Sequence, residues 1–137
     1  MNFLKLFIPA LFIPIILDFT WLGLIAKPLY VKNLSTIGRI EGDKIVPVLW
    51  ASGLVYLLIA FGIVHFVLPK SMPEKSLACT FTAGAFFGLI LYGVYDFTNF
   101  AVLKDYPLTI GLIDLAWGTV MCGLTAMFTQ IIFKALA

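Results

Sequence analysis

Apolar residues fill four long runs of this chain, separated by short polar segments rich in proline and lysine. The runs extend from about Phe3 to Ile25, Val46 to Leu68, Leu77 to Phe100 and Leu108 to Phe133. A bilayer core takes about 20 consecutive apolar residues in a helix. Backbone groups in lipid must be satisfied within their own segment, so each run is expected to be α-helical. Lys27-Pro28 closes the first run, Pro69-Lys-Ser-Met-Pro73 separates the second from the third, and Lys104-Asp-Tyr-Pro107 turns the chain into the fourth. Connections this short set neighbouring helices antiparallel. The reading is an all-α integral membrane protein, one domain over residues 1–137 built as a four-transmembrane-helix antiparallel bundle.

The first loop is the longest, about twenty residues from Ala26. Leu29, Tyr30, Leu34 and Ile37 recur there at helical spacing between Lys27, Lys32 and Arg39. That pattern fits a short helix in the membrane interface, with an irregular polar loop as the alternative. Lys5 ahead of an apolar run resembles a signal peptide. The run is too long, however, Asp18 interrupts it, and no small-residue cleavage site follows, so a retained span is expected. Basic residues divide four (Lys5, Lys70, Lys75, Lys134) to five (Lys27, Lys32, Arg39, Lys44, Lys104) between the two membrane faces. Only the flanks of the first helix lean, towards a cytoplasmic first loop.

Composition supports the bilayer as solvent. The chain is 62% hydrophobic and 12% charged, with a mean hydropathy of +1.08, against about half apolar and a quarter charged in soluble domains. A net charge of +2 without a basic run argues against nucleic acid as a partner. Cys79 and Cys122 lack motif spacing and read as free core thiols rather than a disulfide or zinc site. The single histidine, His65, leaves no paired-histidine haem or di-iron set, and reads as a packed or interfacial residue. Ser52 lies too far along the helix to use it as a base. No phosphate loop or dinucleotide fingerprint is present, so no cofactor and no metal are assigned. Trp50 reads as an interfacial anchor.

Against this background three acids stand out. Asp18, Asp96 and Asp114 fall inside spans, about 12, 7 and 9 Å from the face that carries loops one and three, by helical rise. A charged side chain at the bilayer centre costs at least ~2.5 kcal/mol, so the three are expected to face the protein interior. Spacings of three and four agree. Thr80, Gly84, Gly88, Tyr92, Asp96 and Asn99 form one stripe, and Gly111, Asp114, Gly118, Cys122, Ala126 and Gln130 another. Gly84 and Gly88 make a G-x-x-x-G pair that lets a helix approach closely, and a homodimer through that face is the companion expectation. The words Asp18-Phe-Thr-Trp21, Asp96-Phe-Thr-Asn99 and Asp114-Leu-Ala-Trp117 place a hydrogen-bonding side chain one turn beyond each acid. Tyr30, Tyr92, Tyr95, Asn99, Lys27 and Lys104 are expected to line a shared cavity.

Two stretches, Leu17-Asp-Phe-Thr-Trp-Leu-Gly-Leu-Ile-Ala-Lys-Pro-Leu-Tyr30 and Tyr92-Gly-Val-Tyr-Asp-Phe-Thr-Asn-Phe-Ala-Val-Leu-Lys-Asp-Tyr-Pro107, followed by Asp114-Leu-Ala-Trp-Gly118, resemble a bacterial family of predicted membrane proteins, domain of unknown function 2177. The likeness runs the full chain. It implies a small bacterial inner-membrane protein and supplies no activity. Where the family pattern has tryptophan before Pro107, this chain has Tyr106. By this resemblance the residues carried over are Asp18, Trp21, Lys27, Tyr30, Tyr95, Asp96, Asn99, Lys104, Asp114 and Trp117. Three functions remain open. The acids bind a small polar or cationic solute, or move it coupled to protons. Alternatively Asp96 or Asp114 is a general acid or base in a membrane enzyme, or its accessory subunit, acting on lipid or fatty acyl groups. In the third, the acids only fix helix register in a structural partner protein.

Overall fold

The computed structural model describes residues 3–72 and 76–136, so Pro73 and Lys75 of the second loop lie outside the described residues. Four stretches are long and apolar enough to cross a membrane: Phe3–Ile25, Leu49–Ser71, Leu77–Val102 and Leu108–Ala135. In chain order the elements are α1 (Phe3–Thr20), a π-helical turn (Trp21–Ile25), α2 (Lys27–Asn33), β1 (Ile40–Glu41), β2 (Lys44–Ile45), α3 (Leu49–Gly62), a second π turn (Ile63–Val67), α4 (Leu68–Ser71), α5 (Leu77–Val102) and α6 (Leu108–Ala135).

Helix α1 shows how a nearly all-apolar sequence still has an inside. Leu6, Ala10, Pro14 and Asp18, each one turn apart, are buried, while Leu4, Ile8, Phe12, Ile16 and Phe19 form an exposed apolar belt. In lipid no hydrophobic force drives helices together, so close packing of small residues must. The α5–α6 pair illustrates it. A Cβ at Gly84 would lie 2.6 Å from the Cys122 carbonyl oxygen and 2.7 Å from the Ala126 Cβ; one at Gly88 would strike the Gly118 carbonyl and come within 2.8 Å of the Cys122 Cβ. These contacts run antiparallel along both glycine stripes. They also correct one expectation: the Gly84/Gly88 face is filled by α6 of the same chain and is not open to a second copy.

The second span departs from its expected limits at both ends. Its helix starts at Leu49, after Val48 in extended conformation, and Pro47 keeps the preceding Val46 out of helical geometry. It then continues past Pro69, which was expected to end it. The π turn immediately before α4 widens the ladder where the proline ring would meet the preceding carbonyls, and Pro69 occupies the first turn of α4.

Loop one holds more structure than its sequence suggested. After α2 the chain forms a two-stranded antiparallel hairpin pairing Ile40 with Ile45 and Glu41 with Lys44. Its two-residue link begins with Gly42 at φ +62°, the left-handed region that glycine enters without steric cost. A small core of Ala26, Tyr30 and Ile110, with Trp21, Leu22, Leu34, Ile45 and Ile113 around it, seats this loop on the ends of α1 and α6.

Candidate functional site

All three intramembrane acids face inward in the half of the protein beneath loops one and three, and each is held by a neutral donor from another element. Asp18 receives two bonds, from Trp117 Nε1 at 2.7 Å and from the Tyr56 hydroxyl at 3.0 Å. Asp114 receives the Tyr30 hydroxyl at 2.6 Å, and Trp21 Nε1 donates in turn to that hydroxyl at 3.4 Å. Asp96 receives the Tyr106 hydroxyl at 2.6 Å, and its Oδ2 is buried without a hydrogen-bond partner. Among the described residues no lysine or arginine bonds any of the three acids.

The expected partners one helical turn away are therefore corrected. Trp21 does not bond Asp18, and Trp117 reaches Asp18 rather than Asp114. An indole one turn along a helix points out across the interface, and here the two indoles stack on each other, centroids 4.6 Å apart and planes 8° from parallel. The stack joins α6 to the π turn that ends the first span. Asn99 lines the cavity under loop one beside Tyr95, and the donor to Asp96 is Tyr106.

Two cavities meet at this network. One, of about 360 Å³, lies under loop one between Leu34, Ile37 and Ile45 above and Tyr95, Asn99 and Asp114 below, with Tyr30 and Tyr106 on its walls. The other, of about 460 Å³, is largely apolar and lies between α3 (Val55, Tyr56, Leu58) and α5 (Leu91, Tyr92, Tyr95), with Asp18 and Asp114 at its inner end. Leu22, Tyr95 and Asp114 border both. Asp18 and Asp96 lie within electrostatic reach of Asp114. Among the described residues no three His, Cys, Asp or Glu side chains converge as a metal-ligand group.

Burial, the Asp114 charge and the bond to it hold the Tyr30 phenol well above its ordinary range. Burial and the bond to Asp96 do the same for Tyr106. Both therefore remain neutral donors across physiological pH. Lys27 and Lys104, expected to line the cavity, line neither. Lys27 pairs with Asp43 at the hairpin tip, 2.7 Å away, and that bond holds the Asp43 carboxyl below its usual range. Lys104 is exposed on loop three. Cys122 is a buried thiol as expected, but Cys79 is exposed on the first turn of α5. The residues that the sequence did not single out are Tyr56 and Tyr106. Tyr106 had a visible signal: it stands where the resembled family has another donor-bearing aromatic.

A family model described as "Predicted membrane protein (DUF2177)" matches residues 3–131. No curated protein and no solved structure matches the chain.

Proposed function

This chain belongs to that family of predicted membrane proteins, and we propose that its buried acids bind a small solute carrying a positive charge, exchanging it for a proton. One observation carries the reading. The three carboxyls are bonded only by neutral phenol and indole donors, and the one ion pair among the described residues, Lys27–Asp43, lies away from them. A carboxylate in a membrane needs a proton or a cation, and none of the described residues supplies the three acids with a cation. A single carboxyl cannot hold both, so arrival of a cation displaces a proton, which is the basis of coupling. Asp114, which borders both cavities, is the binding acid in this reading, with Tyr30 and Tyr95 orienting the cargo. The membrane is read as the bacterial inner membrane, with loop one cytoplasmic.

The test is proton release from purified protein in weakly buffered nanodiscs on addition of methylammonium. Release that saturates, and that is lost in Asp114→Asn but kept in Lys104→Ala, supports the proposal. Release that is absent, or unchanged in Asp114→Asn, sinks it. One observation favours the enzyme reading: Asp96 keeps a buried oxygen without a partner, as a general acid or base requires before substrate arrives. A changed lipid profile in a deletion strain, without altered cation or proton flux, would favour it.

A further inference from the structure

Resting on the carboxylate reading, we infer that the cargo is a single-chain amphiphile with a cationic amine head, admitted from the bilayer between α3 and α5. The two helices are apart along this stretch by construction. The second span packs on α1 through α3, and it reaches α5 through the π turn and α4 that follow. At that junction a Cβ on Gly62 would run into the Phe87 ring, so the helices touch there and open towards loop one. The opening is the larger cavity.

Its walls and its end differ in chemistry. Val55, Leu58 and Leu91 are exposed apolar residues at its mouth, and Asp18 and Asp114 stand at its inner end. A volume of about 460 Å³ lies in the range of sites that enclose one small ligand. A wholly polar solute would leave this apolar wall unused. A hydrocarbon chain matches it, and the same molecule's ammonium group would reach the acids and displace the proton there. Asp114 also borders the cavity under loop one, so the head can extend there while the chain stays between the helices. Charge complementarity selects the amine over a fatty acid of the same length, because a carboxylate head would meet Asp18 and Asp114 with no basic residue lining the cavity among the described residues.

The experiment uses the full chain in nanodiscs, a hexadecylamine carrying a diazirine in its chain, and the corresponding fatty acid as control. Labelled peptides are mapped by mass spectrometry. The amine is expected to label residues 55–58 and 91–95 in preference to the outer belt of α1 at Ile8 and Phe12. Val55→Trp and Leu91→Trp, which fill the mouth without touching the acids, should each cut that labelling about tenfold, equivalent to ~1.4 kcal/mol. Labelling spread evenly over the lipid-facing residues, equal labelling by the fatty acid, or no effect of either tryptophan overturns the amphiphile while proton release stands. If methylammonium releases no proton from the unaltered protein, the carboxylate reading itself has failed and the amphiphile falls with it.

Discussion

The two halves of this protein use polar side chains in opposite ways. On the side of the chain ends, Ser71, Thr80 and Thr125 are buried, and their hydroxyls bond to main-chain carbonyls, those of Ser71 and Thr125 one turn back on the same segment. They sit beside a continuous core of Leu6, Ala10, Ile59, Ile63, Met121 and Ala126. On the side of loops one and three, hydroxyls such as Ser52 also close on local backbone, but the acids take phenol and indole donors from other elements, and cavities interrupt the packing. Hydroxyls that close on nearby backbone ask nothing of neighbouring helices. Carboxyls that need a phenol or an indole from elsewhere tie α1 to α3 and α6, and α6 to α2, while Asp96 ties α5 to loop three. The first half is built to hold, the second to contain something.

The sharpest way to break this division is to disturb the packed half. Gly88→Leu drives a side chain into the Gly118 backbone and Cys122, which have no room to yield. A loss of more than ~3 kcal/mol is expected, read as loss of the folded fraction in a denaturant titration of nanodisc-purified protein. Asp18→Ala follows, since it strands the Trp117 and Tyr56 donors together. About 1–3 kcal/mol is expected, with Asp18→Asn recovering part because it keeps an acceptor. If Asp18→Ala proves as damaging as Gly88→Leu, the distinction between a holding half and a containing half is wrong.

The fold was legible largely because membrane spans obey a length rule. The first span ends where its apolar run ends, the second shifts by a few residues at both ends where prolines act, and the third and fourth each run two residues longer at their C-terminal ends. The inward faces of α5 and α6 were legible from spacings of three and four. The partners of the acids were not. Trp117 and Asp18 are 99 residues apart, Tyr30 and Asp114 are 84 apart, and no local rule relates them. The one-turn rule misled because it describes neighbours on a helix surface, whereas these donors reach inward to other helices. The hairpin in loop one did leave a trace, the pair Gly42-Asp43 between Ile40-Glu41 and Lys44-Ile45. The π turns left none that could be read.

Smaller effects sharpen the comparison within the open half. Tyr106→Phe removes the Tyr106 hydrogen bond to Asp96 and should cost about 0.6 kcal/mol, the average for such bonds in membranes. Tyr106→Trp should restore much of this if an indole can serve in its place; failure to do so would show that the bond depends on phenol geometry. Smallest of all, Lys27→Ala should leave the melting temperature unchanged, because its partner Asp43 is fully exposed and exposed pairs are worth little. The Asp43 carboxyl is lowered from 3.8, so the pair is intact above that value and is lost as pH falls through the lowered one. Proton-detected titration of loop one in Lys27→Ala should show Asp43 moving up towards 3.8.

The 99-residue gap between Asp18 and Trp117 also sets a schedule. At a synthesis rate of about 5–20 residues/s, roughly 5–20 s separate the two residues as they leave the ribosome. The first segment of the nascent chain must therefore enter the membrane with its acid still lacking its indole, a burden of ~2.5–3.5 kcal/mol on insertion scales. Tyr56, 38 residues on, can relieve it in part when the second segment arrives. Only the fourth span completes the pair, so the helix that carries Trp117 is the one that closes the acid site.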